Sequence, residues 1–241
     1  MWPERYDAAA LGEIRASVGE RVWWSLYQQQ PRPQDGGVWQ WDWITANRCS
    51  PASFRGVDLV RVVVAVDPAG GESAVGDETG IIAAGQGANG HLYVLDDRSG
   101  RLSADAWGRE ACRLAVELRA DAIVVESNYG GDMTKQVVRQ AWNDLADSRE
   151  TNGMLTPAVT SVTAKVGKRL RAEPVAQLYE QGRVHHVGEW RTLEQQMVTW
   201  VAGMGSPDRM DAAVHALTHL AGGSAALGSD GYSDGRLGGR R

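Results

Sequence analysis

Three carboxylates in this chain stand where they have little structural reason to be. Asp67 ends the apolar run Val62-Val63-Val64-Ala65-Val66, Glu126 ends Ala122-Ile123-Val124-Val125, and Asp211 closes Ser206-Pro207-Asp208-Arg209-Met210-Asp211 at the start of a predicted helix. A carboxylate at the tip of a buried strand has nothing apolar to pack against and is stabilised by something positive. If the two strands are neighbours, about 5 Å apart, Asp67 and Glu126 finish side by side at one sheet edge. Hard oxygen ligands favour Mg2+ or Mn2+ over zinc. Two such ions about 3.5–4 Å apart can activate water and stabilise the leaving oxygen of a phosphodiester. Asp211 borders the helical stripe Met210, Val214, Leu217 and Leu220, so it faces partly inward, and Asp208 lies one turn earlier on the same side. The motif is consistent with Ser206 as N-cap and Pro207 at the first helical position.

Each acid also has a plainer reading. Asp67 precedes Pro68 and Gly70-Gly71 and could only shape a turn. Glu126 could be a satisfied strand-end carboxylate. Asp208 in a first helical turn is often a partner of the helix dipole. Three acids at two strand ends and a helix start are harder to explain this way than any one of them. His185-His186 falls on a short strand, where adjacent side chains point to opposite faces, which makes a poor ligand pair. His215, one turn after Asp211, could bond an acid of the site or be a partly buried structural histidine.

The elements that would position these residues follow from periodicity. Strands are expected at 60–67, 81–84, 92–95, 121–126 and 158–162, with Asn89-Gly90 as a hairpin turn. Helices are expected at 7–18, 103–119, 132–146, 167–181, 190–202 and 207–221. A three-strand meander followed by helix, strand, helix, strand predicts an α/β fold with a mixed five-stranded sheet flanked by helices. Residues 1–57 form a distinct Trp-rich extension, 58–221 the main domain, and 222–241 a Gly/Ser/Arg tail read as disordered. The extension holds six of the ten tryptophans, too many for so short a segment to bury alone. It should pack on the following domain or on a partner. Trp39, Trp41 and Trp43 alternate and could present a stacking face.

The bulk numbers narrow the class. At 241 residues the chain accommodates one good-sized domain plus an extension. No run approaches the roughly 18 apolar residues of a membrane span, and Met1-Trp2-Pro3-Glu4-Arg5 does not begin a signal peptide. The two cysteines, Cys49 and Cys112, make neither a metal motif nor a disulfide framework, so a reduced intracellular setting is expected. The net charge of -5 argues against a strongly basic DNA binder, yet a carboxylate site contributes negative charge that metal ions offset.

The motifs, taken in order, resemble the nuclease domain of phage large terminase subunits, which has an RNase H-like (RuvC-like) fold. Val66-Asp67-Pro68-Ala69 with Asp77-Glu78-Thr79-Gly80-Ile81 looks like the first motif. Val124-Val125-Glu126-Ser127-Asn128-Tyr129-Gly130-Gly131 looks like the second, and Ser206-Pro207-Asp208-Arg209-Met210-Asp211-Ala212 like the third. Trp24-Ser25-Leu26-Tyr27-Gln28-Gln29-Gln30-Pro31 resembles the linker between the terminase motor and nuclease. The resemblance implies a metal-dependent endonuclease that cuts concatemeric viral DNA during genome packaging. Asp67, Glu126 and Asp211 would be its ligands for two Mg2+ or Mn2+ ions, and Asp77 and Asp208 supporting acids. It also implies double-stranded DNA as substrate; the ATPase motor, small terminase subunit and portal as partners; and the cytoplasm of an infected bacterium as location. No GxxxxGK loop followed by Ser or Thr is present, so the chain is expected to be a nuclease half without its ATPase domain.

Lys165, Lys168, Arg169 and Arg171 form the densest basic cluster and, with Lys135, could contact a phosphate backbone. An ordinary solvated helix face explains them as well, and a plain turn explains Gly130-Gly131. Two rival functions fit the same residues: a RuvC-like junction resolvase, or a non-catalytic module docking on the portal or motor.

Overall fold

The computed structural model describes residues 7–27, 37–68, 78–126, 132–162, 167–201, 205 and 207–227. Asp77, Lys165, Ser206, Gly130-Gly131, the second half of the linker-like segment and the end of the tail lie outside the described residues.

Helix α1 (Ala8–Val22) runs into a π-helical turn, Trp23–Tyr27, and two short helices follow, α2 (Trp41–Ala46) and α3 (Pro51–Phe54). The sheet then begins with β1 (Leu59–Asp67), β2 (Gly80–Gly87) and β3 (Leu92–Asp97). These strands are antiparallel neighbours, the meander expected from the hairpin signal. Next come α4 (Ala104–Leu118), β4 (Ala122–Glu126), α5 (Asp132–Asp147), β5 (Ala158–Val162), α6 (Lys168–Glu180), β6 (Val184–His186), α7 (Arg191–Thr199) and α8 (Asp208–Leu227).

The mixed sheet has the order β5-β4-β1-β2-β3-β6, six strands rather than the five expected. The extra strand is β6, paired parallel to β3. Three residues, two of them histidines, carry no apolar run, so pattern alone left it out of the sheet. Its outer edge does not end in solvent. Cys49 bridges to Val187, with Cys49 N–H donating to His186 O and Gly188 N–H to Cys49 O.

The central strands are apolar on both faces because helices cover both. On one face Val62, Val64, Val66, Ile123 and Val125 pack against α4 and α5 through Trp107, Leu114, Trp142 and Leu145. On the other, Val63, Ala65 and Val124 meet α8 through Met210, Val214 and Leu217, with α6 and α7 beside it. Trp39 and Ile44 enter this second core, so the Trp-rich segment does pack on the main sheet. The tryptophans do not form a stacking face: Trp39 is buried, Trp41 is exposed and Trp43 is partly buried, because α2 breaks their alternation.

α7 is tied down by a buried polar relay. Arg48 donates to both oxygens of Glu194, at 2.7 and 2.9 Å. His186 Nδ1–H donates to Glu194 Oε1 at 2.9 Å, and His186 Nε2 accepts from the Tyr179 hydroxyl at 2.7 Å. Burial holds His186 below the usual imidazole range, in keeping with this neutral tautomer.

Candidate functional site

Strand alternation decides which way the acids point. Asp67 shares a face with Val63 and Ala65, and Glu126 with Ala122 and Val124, so both carboxylates project toward α8. β1 and β4 are parallel neighbours in the register Val66↔Val125, which brings Asp67 and Glu126 level at the ends of their strands. The two side chains share a hydrogen bond. Parallel strands need a crossover between them, and α4 supplies it, so only folding of 104–118 brings two acids this far apart in sequence together.

Asp67 is 6% exposed. Burial, the bond to Glu126 and the fields of Glu126, Asp211 and Asp208 push its carboxyl far above the usual range. Glu126 moves the other way. Burial raises it, but bonds from His215 and Asp67 and the field of Arg171 outweigh burial and hold it down. His215 Nε2 is 3.4 Å from Glu126 Oε2, and Arg171 Nη1 is 3.7 Å from Glu126 Oε1.

Asp208 and Asp211 come from the first turn of α8. Asp211 is buried, and its Oδ2 lies 3.0 Å from the Lys168 ammonium. Burial lowers the Lys168 pKa, but the bond to Asp211 and the fields of Asp211, Asp67 and Asp208 more than offset this and raise it. Lys168 and Arg171, three apart on α6, thus share a side and both reach acids of the site. Arg169 leaves that side, half exposed, and pairs with Glu173 at 2.7 Å. Lys135 Nζ stands 3.8 Å from Asp132 on α5.

Two residues that the sequence reading passed over set this geometry. Gly80 pairs with Asp67 across the β1–β2 ladder. A Cβ on Gly80 would fall 2.1 Å from the Asp208 carbonyl oxygen and 2.9 Å from Ala212 Cβ, so only glycine admits α8 here. Arg209 leaves the acidic side of α8 and binds Glu78 and Asp97. Its position inside Ser206–Asp211 was visible, but its partners are about 110–130 residues away in sequence, beyond any local pattern.

The donor set suits a hard divalent cation. The four carboxylates are hard oxygen ligands, and burial together with the neighbouring acids raises the pKa of Asp67. Among the described residues no three His, Cys, Asp or Glu side chains already stand around a common metal position. Here the cations Lys168 and Arg171 and the His215 ring face the acids.

Residues 64–220 match the family model of the terminase RNaseH-like domain. A comparison with curated proteins finds no match. Among solved structures, the human cytomegalovirus terminase nuclease domain is similar at 15% identity and TM-score 0.54, over 75% of this chain and 92% of that one. The large terminase of a thermophilic bacteriophage is similar at 9% identity and TM-score 0.52, over 90% of this chain and 53% of that one. The nuclease domain of the large terminase subunit of bacterial virus Sf6 aligns at 13% identity and TM-score 0.48, over 74% of this chain and 96% of that one. The first two likenesses show a shared fold, and the match over 64–220 places the chain in the terminase RNaseH-like domain family.

Proposed function

We propose that this chain is a metal-dependent DNA endonuclease that cuts concatemeric viral DNA during genome packaging. The observation that carries the reading is the buried, hydrogen-bonded Asp67–Glu126 pair at adjacent parallel strand ends under the acidic first turn of α8. Crowded buried carboxylates cost stability, and a divalent cation between them would offset that cost. Asp67, Glu126 and Asp211 would hold two Mg2+ or Mn2+ ions, with Asp208 and Asp77 as supporting acids. Ions bound there would supply an activated water and charge stabilisation at the leaving oxygen.

The chain's own residues then divide the remaining work. Asp67 would hold a cation in its ionised form. Lys168 and Arg171, on the α6 side of the acids, would face the scissile phosphate. Arg169, Lys165 and Lys135 contact the flanking backbone without reading bases. His215 holds Glu126 in position. The products are a 5′-phosphate and a 3′-hydroxyl. Residues 58–221 would form the nuclease unit, working in the cytoplasm of an infected bacterium. Its partners would be a terminase motor, a small terminase subunit and the portal.

The test is cleavage of supercoiled plasmid by purified protein in Mn2+, Mg2+ or EDTA, beside Asp67→Ala and Asp211→Ala. Metal-dependent nicking and linearisation, lost in both folded variants, supports the nuclease. A folded wild-type protein that leaves plasmid intact in both metals points instead to a docking module.

A further inference from the structure

Arg209 has a setting unlike that of the other basic residues near the acids. Its guanidinium is 11% exposed and donates from Nη1 to Asp97 Oδ2 at 2.7 Å and from Nε to Glu78 Oε2 at 3.2 Å. Nη2 donates to Glu78 Oε1 and, at 3.4 Å, to the Ser99 carbonyl. Both acceptor residues are themselves anchored. Asp97 Oδ1 accepts from Ser99 N–H at 3.1 Å, and the Ser99 hydroxyl accepts from Ile81 N–H at 2.9 Å. Glu78 also accepts from Gln196 of α7 at 3.2 Å. One side chain of α8 therefore grips the start of β2 and the end of β3, and through Glu78 reaches α7.

The contact at Gly80 lies at the same joint. It brings the Asp208 carbonyl against the β2 backbone, directly across the ladder from Asp67. Rotation or translation of the first turn of α8 would move Asp208 and Asp211 relative to Asp67 and Glu126. The Gly80 contact limits approach, and the Arg209 fork resists withdrawal and twist.

We infer that Arg209 is a positioning residue, which together with Gly80 sets the spacing between the strand acids and the helix acids of the cation site. The inference rests on the nuclease reading for its ligand, but the lock on α8 is a property of the chain alone. A fork that satisfies two separate acids cannot be replaced by a point charge. Lysine keeps the charge and the fold but holds one acid at a time. Displacement of a reacting group by about 1 Å can cost about 100-fold in rate.

The experiment compares wild type, Arg209→Lys and Gly80→Ala, with Arg209→Met as the harsher change, which removes both ion pairs. Three quantities are read on folded protein: hydrogen exchange in 207–214 without metal, the Mn2+ dissociation constant by electron paramagnetic resonance, and kcat and KM for plasmid. The expected result for Arg209→Lys is exchange in 207–214 at least about fivefold faster. Mn2+ binding weakens at least about fivefold and kcat falls, with KM for DNA within about twofold of wild type. A merely structural role would lower the folded fraction and leave the Mn2+ constant of the folded protein unchanged. Wild-type exchange and wild-type Mn2+ affinity in both Arg209→Lys and Gly80→Ala would overturn the inference. If wild type itself binds no Mn2+ and cuts nothing, the nuclease reading fails, and unchanged exchange in 207–214 would still sink the lock.

Discussion

Lys168 holds its ammonium 3.0 Å from Asp211 Oδ2, although the two residues belong to different helices and Asp211 is almost wholly buried. On the proposed nuclease reading, a metal ion at Asp211 would meet this ammonium as a like charge. Replacing it should therefore help a cation bind. Lys168→Met is expected to tighten Mn2+ binding about fivefold, the value of about 1 kcal/mol for removing a partly screened like charge. Titration followed by isothermal calorimetry measures this. An unchanged or weaker constant would show that Lys168 and the ion do not compete.

Asp67→Asn is expected to stabilise the metal-free protein while abolishing cleavage. Asp67 has a raised pKa, so its contribution is favourable below its ordinary value of 3.8 and is lost as pH rises toward about 10. Asparagine donates to Glu126 without carrying charge. At pH 8 its Tm should exceed wild type by about 3 °C, equivalent to about 1 kcal/mol. Added Mn2+ should raise the wild-type Tm and leave that of the variant nearly still. A lower metal-free Tm for the variant would contradict the crowding argument.

Acid should destabilise the fold through the Glu194–His186 relay. Burial holds His186 below its ordinary 6.5, so the unfolded chain takes up a proton there before the folded one does. Burial raises Glu194, but bonds from His186 and Arg48 bring it down to about 2 from 4.5. Both groups have depressed folded values, so both contributions are present at neutral pH and lost on acidification. The His186 share goes first, below pH 6.5, and the Glu194 share between 4.5 and 2. The Tm of His186→Gln should fall less than that of wild type between pH 6.5 and 4.5. Parallel curves would remove His186 from the account.

Arg48→Ala leaves Glu194 charged and buried without its bidentate partner. The loss should be about 3 kcal/mol. Denaturant unfolding gives the value, and adding Glu194→Gln should recover part of it. Simple additivity of the two changes would mean that they are not coupled.

The sheet and the acids were legible because they depend on local signals. Apolar runs marked β1 and β4, and a carboxylate at the end of each stood out against its run. Asn89-Gly90 marked the hairpin, and the stripe through Met210, Val214 and Leu217 marked α8. What escaped depends on contacts between distant residues. β6 has only Val184, His185 and His186 and is a strand because β3 lies beside it. Nothing in the sequence around Gly80 shows that the Asp208 carbonyl lies against it. Lys168 and Arg171 read as a face for phosphates, and their i, i+3 spacing shows one shared direction but not that acids lie along it.

The Cys49–Val187 bridge has a practical side. Residues 47–50 lie along the outer edge of β6, where an open strand would offer its unpaired amides to any passing chain. A recombinant version begun at residue 58 would lose that cover together with Trp39 and Ile44. It would expose both a pairing edge and an oily hollow, and it should come out of cells as aggregate. Soluble material for every measurement above calls for a chain that begins before Gly37.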